Sequence, residues 1–186
     1  MTFKLITPPA ALAVSLDDAK LALRVDGNDQ DALIEAWVAG ITEHAEHYTG
    51  RAFVHQTWRY TADSFPTAIK LQYAPVASVT SIKYLDEAGV QQTLNPADYF
   101  LDDSTEPGYI VPQVGKAWPA TYGRINSVQV DYVAGYGPDD TTVPPSVKLF
   151  IQAALVQQYD PAVRLEKDTV QSSFIDRLLD RVKVYS

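Results

Sequence analysis

Apolar residues recur along this chain with three successive periods. Between Leu16 and about Arg24, Leu16, Ala19, Leu21 and Leu23 fall on a short helical pattern, and Ser15 followed by Asp18 forms a variant capping box at its start. "DGNDQD" (Asp26–Asp31) interrupts the pattern: Gly27 ends the first helix, and Asn28 or Asp29 supplies a cap for the next. Leu33, Trp37, Val38, Ile41, Ala45 and Tyr48 then recur at three- and four-residue spacing, which leaves Glu35, Glu43 and Glu46 facing outward. The second helix should stop at Thr49-Gly50, with Gly50 in the left-handed conformation that closes many helices.

From Arg51 the period changes to two. Trp58 and Tyr60 alternate with Arg59 and Thr61, and Ile69, Leu71 and Tyr73 alternate with Lys70 and Gln72. "SIKYLDEAGVQQTL" predicts a hairpin whose four-residue turn closes at Gly89, and Val128, Val130 and Tyr132 alternate once more. Pro75, Pro96, Pro107-Gly108, Pro112 and Pro119 punctuate the segment as short strands and long loops require, and Tyr136-Gly137-Pro138 ends it. The helical period returns after Pro144-Pro145, with Val147, Phe150, Ile151, Ala154, Leu155 and Tyr159 on one face and Pro161 as terminator. After the polar "RLEKDTVQS", a last amphipathic helix carries Val170, Phe174, Ile175, Leu178, Leu179 and Val182 on one side. That face either packs on its own core or docks into a partner's groove. The expected fold is α+β: a discontinuous helical core of residues 1–50 and 143–186, interrupted by an antiparallel β subdomain of residues 51–142.

Composition narrows the function. The 186 residues are 46% hydrophobic and 11% aromatic, enough to bury a core. There is no cysteine, which excludes disulfide frameworks, thiolate metal sites and cysteine nucleophiles. "MTFKLITPPAALAV" is too short and too interrupted by proline for a signal peptide or membrane span, so synthesis in the cytoplasm is expected. The net charge of −8 is uneven: −5 over residues 1–50, −4 over 51–142 and +1 over 143–186. A surface of this sign repels phosphate backbones, so protein partners are expected rather than nucleic acid.

Candidate chemistry is sparse. His44 and His47 share a helical face, with Glu43 or His55 as conceivable further ligands, and the three histidines would be the ligands of a metal hydrolase. "HAEH" is not the H-E-x-x-H pattern, and a histidine near a helix C-terminus is favoured by the helix dipole, so no metal site is expected. "GYG" at Gly135–Gly137 lacks the remaining elements of a phosphate loop, and no Gly-x-Ser-x-Gly elbow occurs. The pairs Asp102-Asp103 and Asp139-Asp140 lie in turn-rich segments without calcium-loop spacing, and read as solvated loops. Trp37, Trp58 and Trp118 fit core positions. No cofactor and no catalytic residue is expected.

Several stretches together resemble a known family. "LITPPA", "VSLDDAKLALRVD" and "DALIEAWVAGITEHAEHYTGRAF" are similar to the N-terminal half of tailed-bacteriophage head–tail connectors, also called neck adaptor or head-completion proteins. The resemblance continues through "YAPVASVTSIKYLDEAGVQQTLNPADYF", "EPGYIVPQVGKAWPAT" and "VQVDYVAGYG...VPPSVKLFIQAALV", or about residues 4–156. Beyond it, "QQYDPAVRLEKDTVQSS" departs from the Trp/Tyr–Glu–Asn–Arg pattern with which that helix ends in the family.

The resemblance implies a non-enzymatic virion protein, from a phage or prophage, that forms a twelve-fold ring beneath the portal and extends the DNA channel. It implies as partners the portal protein, the next neck or tail-completion protein and other copies of the chain, with DNA passing only as cargo and no membrane contact. An acidic channel lining would keep the duplex from adhering, and a subunit with an amphipathic terminal helix would stay monomeric until the portal offers a groove. By position on that helix, Phe174, Arg177, Leu178 and Arg181 are the expected portal contacts. The alternative is a host α+β binding module with a ligand or glycan pocket lined by Trp58 and Trp118.

Overall fold

The computed structural model describes residues 1–159, 175 and 177–184. Its elements follow the three periods of the sequence. Strand β1 (Thr2–Thr7) precedes helices α1 (Leu16–Leu23) and α2 (Asp31–Thr49). Strands β2 (Gln56–Ala62), β3 (Ile69–Lys70), β4 (Val76–Leu85), β5 (Gln91–Thr93), β6 (Tyr99–Asp102), β7 (Tyr109–Pro112) and β8 (Val128–Ala134) come next, and helix α3 (Pro145–Tyr159) returns the chain to the bundle. The α+β expectation is borne out, including the interruption of a helical core by antiparallel strands.

Five strands form one antiparallel sheet in the order β1-β2-β8-β4-β5, and three form a second in the order β3-β7-β6. The central strand β8 alternates strictly, with Val128, Val130, Tyr132 and Ala134 buried and Gln129, Asp131 and Val133 half-exposed. Tyr60 lies opposite Val130, and on the other face Arg59 lies opposite Asp131, with a bidentate ion pair of 2.7 and 2.8 Å. Ile69, Leu71, Ile82 and Ile110 complete the core of the strands. A separate cluster joins Ala19, Ile34, Val38, Ala45, Val147, Ile151 and Leu155 of the three helices with Phe53, Val54 and Leu179.

Helix α1 begins as its capping box requires: the Ser15 hydroxyl accepts from the Asp18 amide at 3.1 Å. It ends on Arg24 in the left-handed conformation rather than on Gly27, and Leu21 points to solvent at 78% exposure instead of into the core. Neither Asn28 nor Asp29 caps α2; Gln30 occupies the cap position without a side-chain bond, and Asn28 instead accepts from Lys20 Nζ at 3.0 Å. The buried face of α2 is rotated by about one residue from the expected one. It runs Ile34, Val38, Thr42, Ala45 and Thr49, while Leu33 and Tyr48 are exposed. Two threonines can sit on this face because their hydroxyls donate to the carbonyls of Val38 and Ala45, each at 2.7 Å. Gly50 closes the helix with φ +69°, as predicted.

The "GYG" segment is a packing device. Gly135 has φ +129°, and a Cβ there would lie 2.6 Å from the backbone carbonyl of Val54. The glycines let the exit of β8 run against residues 53–55: Tyr136 donates to Phe53 O at 3.2 Å, and His55 donates to Gly137 O at 2.8 Å. This close approach ties the sheet to the helical cluster through Phe53 and Val54.

Candidate functional site

Two surfaces carry side chains that packing alone does not explain: the seat of the C-terminal turn and a cleft beside α2. The seat is built around Arg51, the first residue after the helix-closing Gly50. Its guanidinium is buried, donating from Nη1 to Glu106 Oε1 at 2.7 Å and from Nη2 to Glu106 Oε2, while Nε donates to the carbonyl of Val182. The Tyr136 ring lies 5.9 Å away. Burial alone would lower the Arg51 pKa, but bonding to Glu106 and the nearby Tyr136 raise it on balance. The Arg51 hydrogen bonds hold the Glu106 carboxyl below its ordinary value.

The same turn is fixed at two more points. Val184 donates to Thr49 O at 2.8 Å, and Lys183 Nζ sits 4.0 Å from the centroid of the Tyr48 ring. Leu179 is buried in the helical cluster with Val182 packed beside it, so part of the terminal apolar face belongs to the chain's own core. Ile175 and Arg177 are helical and residues 178–182 form turns, rather than one helix continuing to Val182. Of the expected portal contacts, Arg177 and Arg181 are exposed, Leu178 is half-buried, and Phe174 lies outside the described residues.

The cleft, of about 690 Å³, lies between α2, the start of β2 and the segment that leaves β1. Leu5, Pro8 and Pro9 form one wall, Glu35, Ala39, Glu43 and His47 the other, and Gln56, Trp58 and Tyr73 line it toward the sheet. Glu46 does not face outward as its spacing suggests. Its Oε1 accepts from the Phe53 amide at 2.7 Å and from Gln56 Nε2 at 2.9 Å. Burial raises the Glu46 pKa; these two bonds oppose the rise, and the neighbouring Glu43 adds to it. Nothing in the pattern of α2 announces this role, because the partner amide belongs to a segment seven residues further on.

The tryptophans separate. Trp58 stacks on Tyr73 with centroids 3.9 Å apart and lines the cleft; its Nε1 is buried without a hydrogen-bond partner among the described residues. Trp118 stacks on Phe65 at 4.7 Å and donates to Thr67 O at 3.4 Å, away from the cleft. The two therefore do not share the pocket that a glycan-binding module would require. His44 and His47 are exposed on α2, and among the described residues no three His, Cys, Asp or Glu side chains come together as a metal site. Asp102 and Asp139 each accept a backbone amide two residues on, at 3.0 Å, and Asp140 pairs with Lys148 at 2.8 Å.

The architecture defines a class: a three-helix cluster, split in sequence by two antiparallel sheets and closed by a short C-terminal turn. Residues 13–89, which run from the lead-in to α1 to the hairpin turn after β4, match the family model described as phage gp6-like head-tail connector protein. The resemblance read from the sequence is thereby borne out over that stretch. The whole chain superposes on a chain from the "Neck of empty GTA particle computed with C6 symmetry", at a TM-score of 0.83 and 20% identity. It is also similar to chains from the "Virion of native gene transfer agent (GTA) particle" (TM-score 0.79, 21% identity) and the "Neck of native GTA particle computed with C12 symmetry" (0.78, 21%). Each alignment covers 100% of this chain and 97% of the other. At such identities the likeness establishes the fold. No curated protein sequence matches the chain.

Proposed function

We propose that this protein is a non-enzymatic structural component of a virion neck, a head–tail connector that assembles as a ring on the portal and extends the DNA channel toward the tail. The observation that carries this reading is the agreement of two independent matches: the connector family over residues 13–89, and the full-length fold of chains from necks of phage-like particles. The acidic surface, at −8, suits a conduit for a polyanion, since like charges keep the duplex from adhering. Among the described residues, no helix is long and apolar enough to cross a membrane.

In this reading the ring has twelve subunits, and one face meets the portal while the opposite face meets the next neck or tail-completion protein. Portal contact falls to the outer side of the C-terminal turn. Leu179 and Val182 hold its inner side to the body, which leaves Arg177 and Arg181 free to meet carboxylates and Leu178, with Phe174, to supply apolar contact. Light scattering of the purified protein, alone and mixed with the portal protein encoded in its own genome, tests the reading. Addition of a near-integral set of subunits to each portal is expected, and Arg177→Glu with Arg181→Glu should weaken it at least tenfold. Absence of association across salt and protein concentration would overturn it.

A further inference from the structure

The two ends of the five-stranded sheet, along the strand direction, carry surfaces of opposite chemistry. At one end, the cleft presents Glu35, Glu43 and Glu46 above an apolar wall of Leu5 and Pro9. Residues 25–50 contain six acids and no lysine or arginine. Of these three carboxylates, only Oε1 of Glu46 is engaged by described residues. The cleft therefore offers carboxylates and an apolar wall to a partner that brings a cation and an apolar side chain.

The opposite end of the sheet supplies both. Residues 107–130 contain no acid but include Lys116 and Arg124, in a chain of net charge −8. The loop after β7 ends in Tyr122, Arg124 and Ile125, with Tyr122 45% and Ile125 72% exposed. Arg124 has no carboxylate partner among the described residues, whereas Lys116 is paired with Asp98 at 3.3 Å. The loop is nonetheless held in shape. Tyr122 donates to Leu85 O at 3.0 Å, the Ser127 hydroxyl donates to the carbonyls of Tyr122 and Arg124 at 2.8 and 2.9 Å, and Asn126 donates to Asp63 Oδ1 at 2.9 Å. A loop ordered in this way while exposing isoleucine and tyrosine is preorganised for contact, so little entropy is lost when it binds.

The loop cannot serve its own cleft. It is anchored where β2 ends and β8 begins, through Asn126 and Asp63, and beside the end of β4, whereas the cleft adjoins the start of β2 at Gln56 and Trp58; the five residues from Trp58 to Asp63 span about 17 Å of extended strand. A neighbouring copy brings them together, and a contact between different surfaces of identical subunits propagates head to tail, closing as a ring when the rotation between subunits closes. We infer that the Tyr122–Ile125 loop of one subunit docks into the α2 cleft of the next, with Arg124 meeting Glu43 and Glu46 and Ile125 packing against Leu5 and Pro9. This contact deepens the connector reading and rests on it for ring closure.

Because the chain has no cysteine, the contact can be trapped by engineered ones. Leu5→Cys, at an exposed position in the wall that Ile125 meets, and Ile125→Cys are made singly and together, and the proteins are oxidised after assembly on the purified portal. The combined variant should give a ladder of linked subunits extending to the full ring, and an equimolar mixture of the single variants should give the mixed dimer. Arg124→Glu should abolish the ladder and Glu43→Lys should restore it in the Arg124→Glu background, since both side chains are exposed and their exchange leaves the fold intact. Portal binding that persists without a ladder, or only Ile125-to-Ile125 dimers, would overturn the docking while leaving the connector function standing. Failure of the unmodified chain to join the portal at all would remove both.

Discussion

Strand β8 and the C-terminal turn from Arg177 to Val184 are both fixed to the body of this protein, but by contrasting means. The strand lies between β2 and β4 with four side chains buried, and Tyr132 also donates to Gln72 O at 2.8 Å. Among the described residues the turn is held by buried Leu179, by Val182 beside it, by the hydrogen bonds to Thr49 and Arg51 and by Lys183 over the Tyr48 ring. A sheet centre can open only when the domain unfolds, whereas a segment with so few attachments can open by itself. The surface assigned to portal contact is thus on the element best able to adjust without loss of the fold.

Substitutions should separate the two regimes. Tyr132→Ala removes a fully buried ring and leaves Gln72 O without its donor, so a global loss of about 3–5 kcal/mol is expected in urea unfolding. Gly135→Ala should cost about 1–3 kcal/mol, also globally, because both the positive φ and the contact with Val54 oppose a side chain. Leu179→Ala should instead act locally. Hydrogen exchange at the Val182 and Val184 amides should accelerate by at least tenfold, while the urea midpoint falls by much less than for Tyr132→Ala. Equal effects on both readouts would show that the turn unfolds only with the whole domain.

The sequence conveyed the strand far better than the turn. Val128, Val130 and Tyr132 alternate because β8 has a core face along its entire length, so the period of two is complete. The first strand was not apparent in "TFKLIT", since at the sheet edge only Phe3 is even partly buried and no inward face is imposed. Helix α2 was recognisable by period but misphased: small and apolar residues nearly encircle it, and Thr42 and Thr49 conceal their polarity by bonding back to the helix. The seat of the turn was invisible because Arg51, Glu106 and Val182 are far apart in the chain, and no local pattern marks their meeting. The inward turn of Glu46 escaped for the same reason.

Two carboxylates, Glu46 on the α2 cleft and Glu106 at the seat of the turn, differ in acid response. Glu46 has a raised pKa, so the folded state holds a proton more tightly than the unfolded one; its contribution improves as pH falls through the raised value toward the ordinary 4.5. Glu46→Gln should remove this acid gain while preserving an acceptor for the Phe53 amide, whereas Glu46→Ala should cost about 1–3 kcal/mol by orphaning that buried donor. Glu106 works with the opposite sign. Its lowered pKa gives a contribution that is present above the ordinary 4.5 and lost as pH falls through the folded value. With Glu106 side chain 42% exposed, Glu106→Gln should cost less than about 1 kcal/mol, seen as faster exchange in the turn above pH 5 and no difference from the parent in stronger acid.

The central claim, a connector between head and tail, is tested most directly in the particles themselves. Deleting the coding sequence from the genome that carries it, and imaging the resulting lysate by electron microscopy, should yield portal-bearing heads that lack tails, with tailed particles restored when the protein is supplied in trans. Normal tailed particles in the deletion would contradict the account.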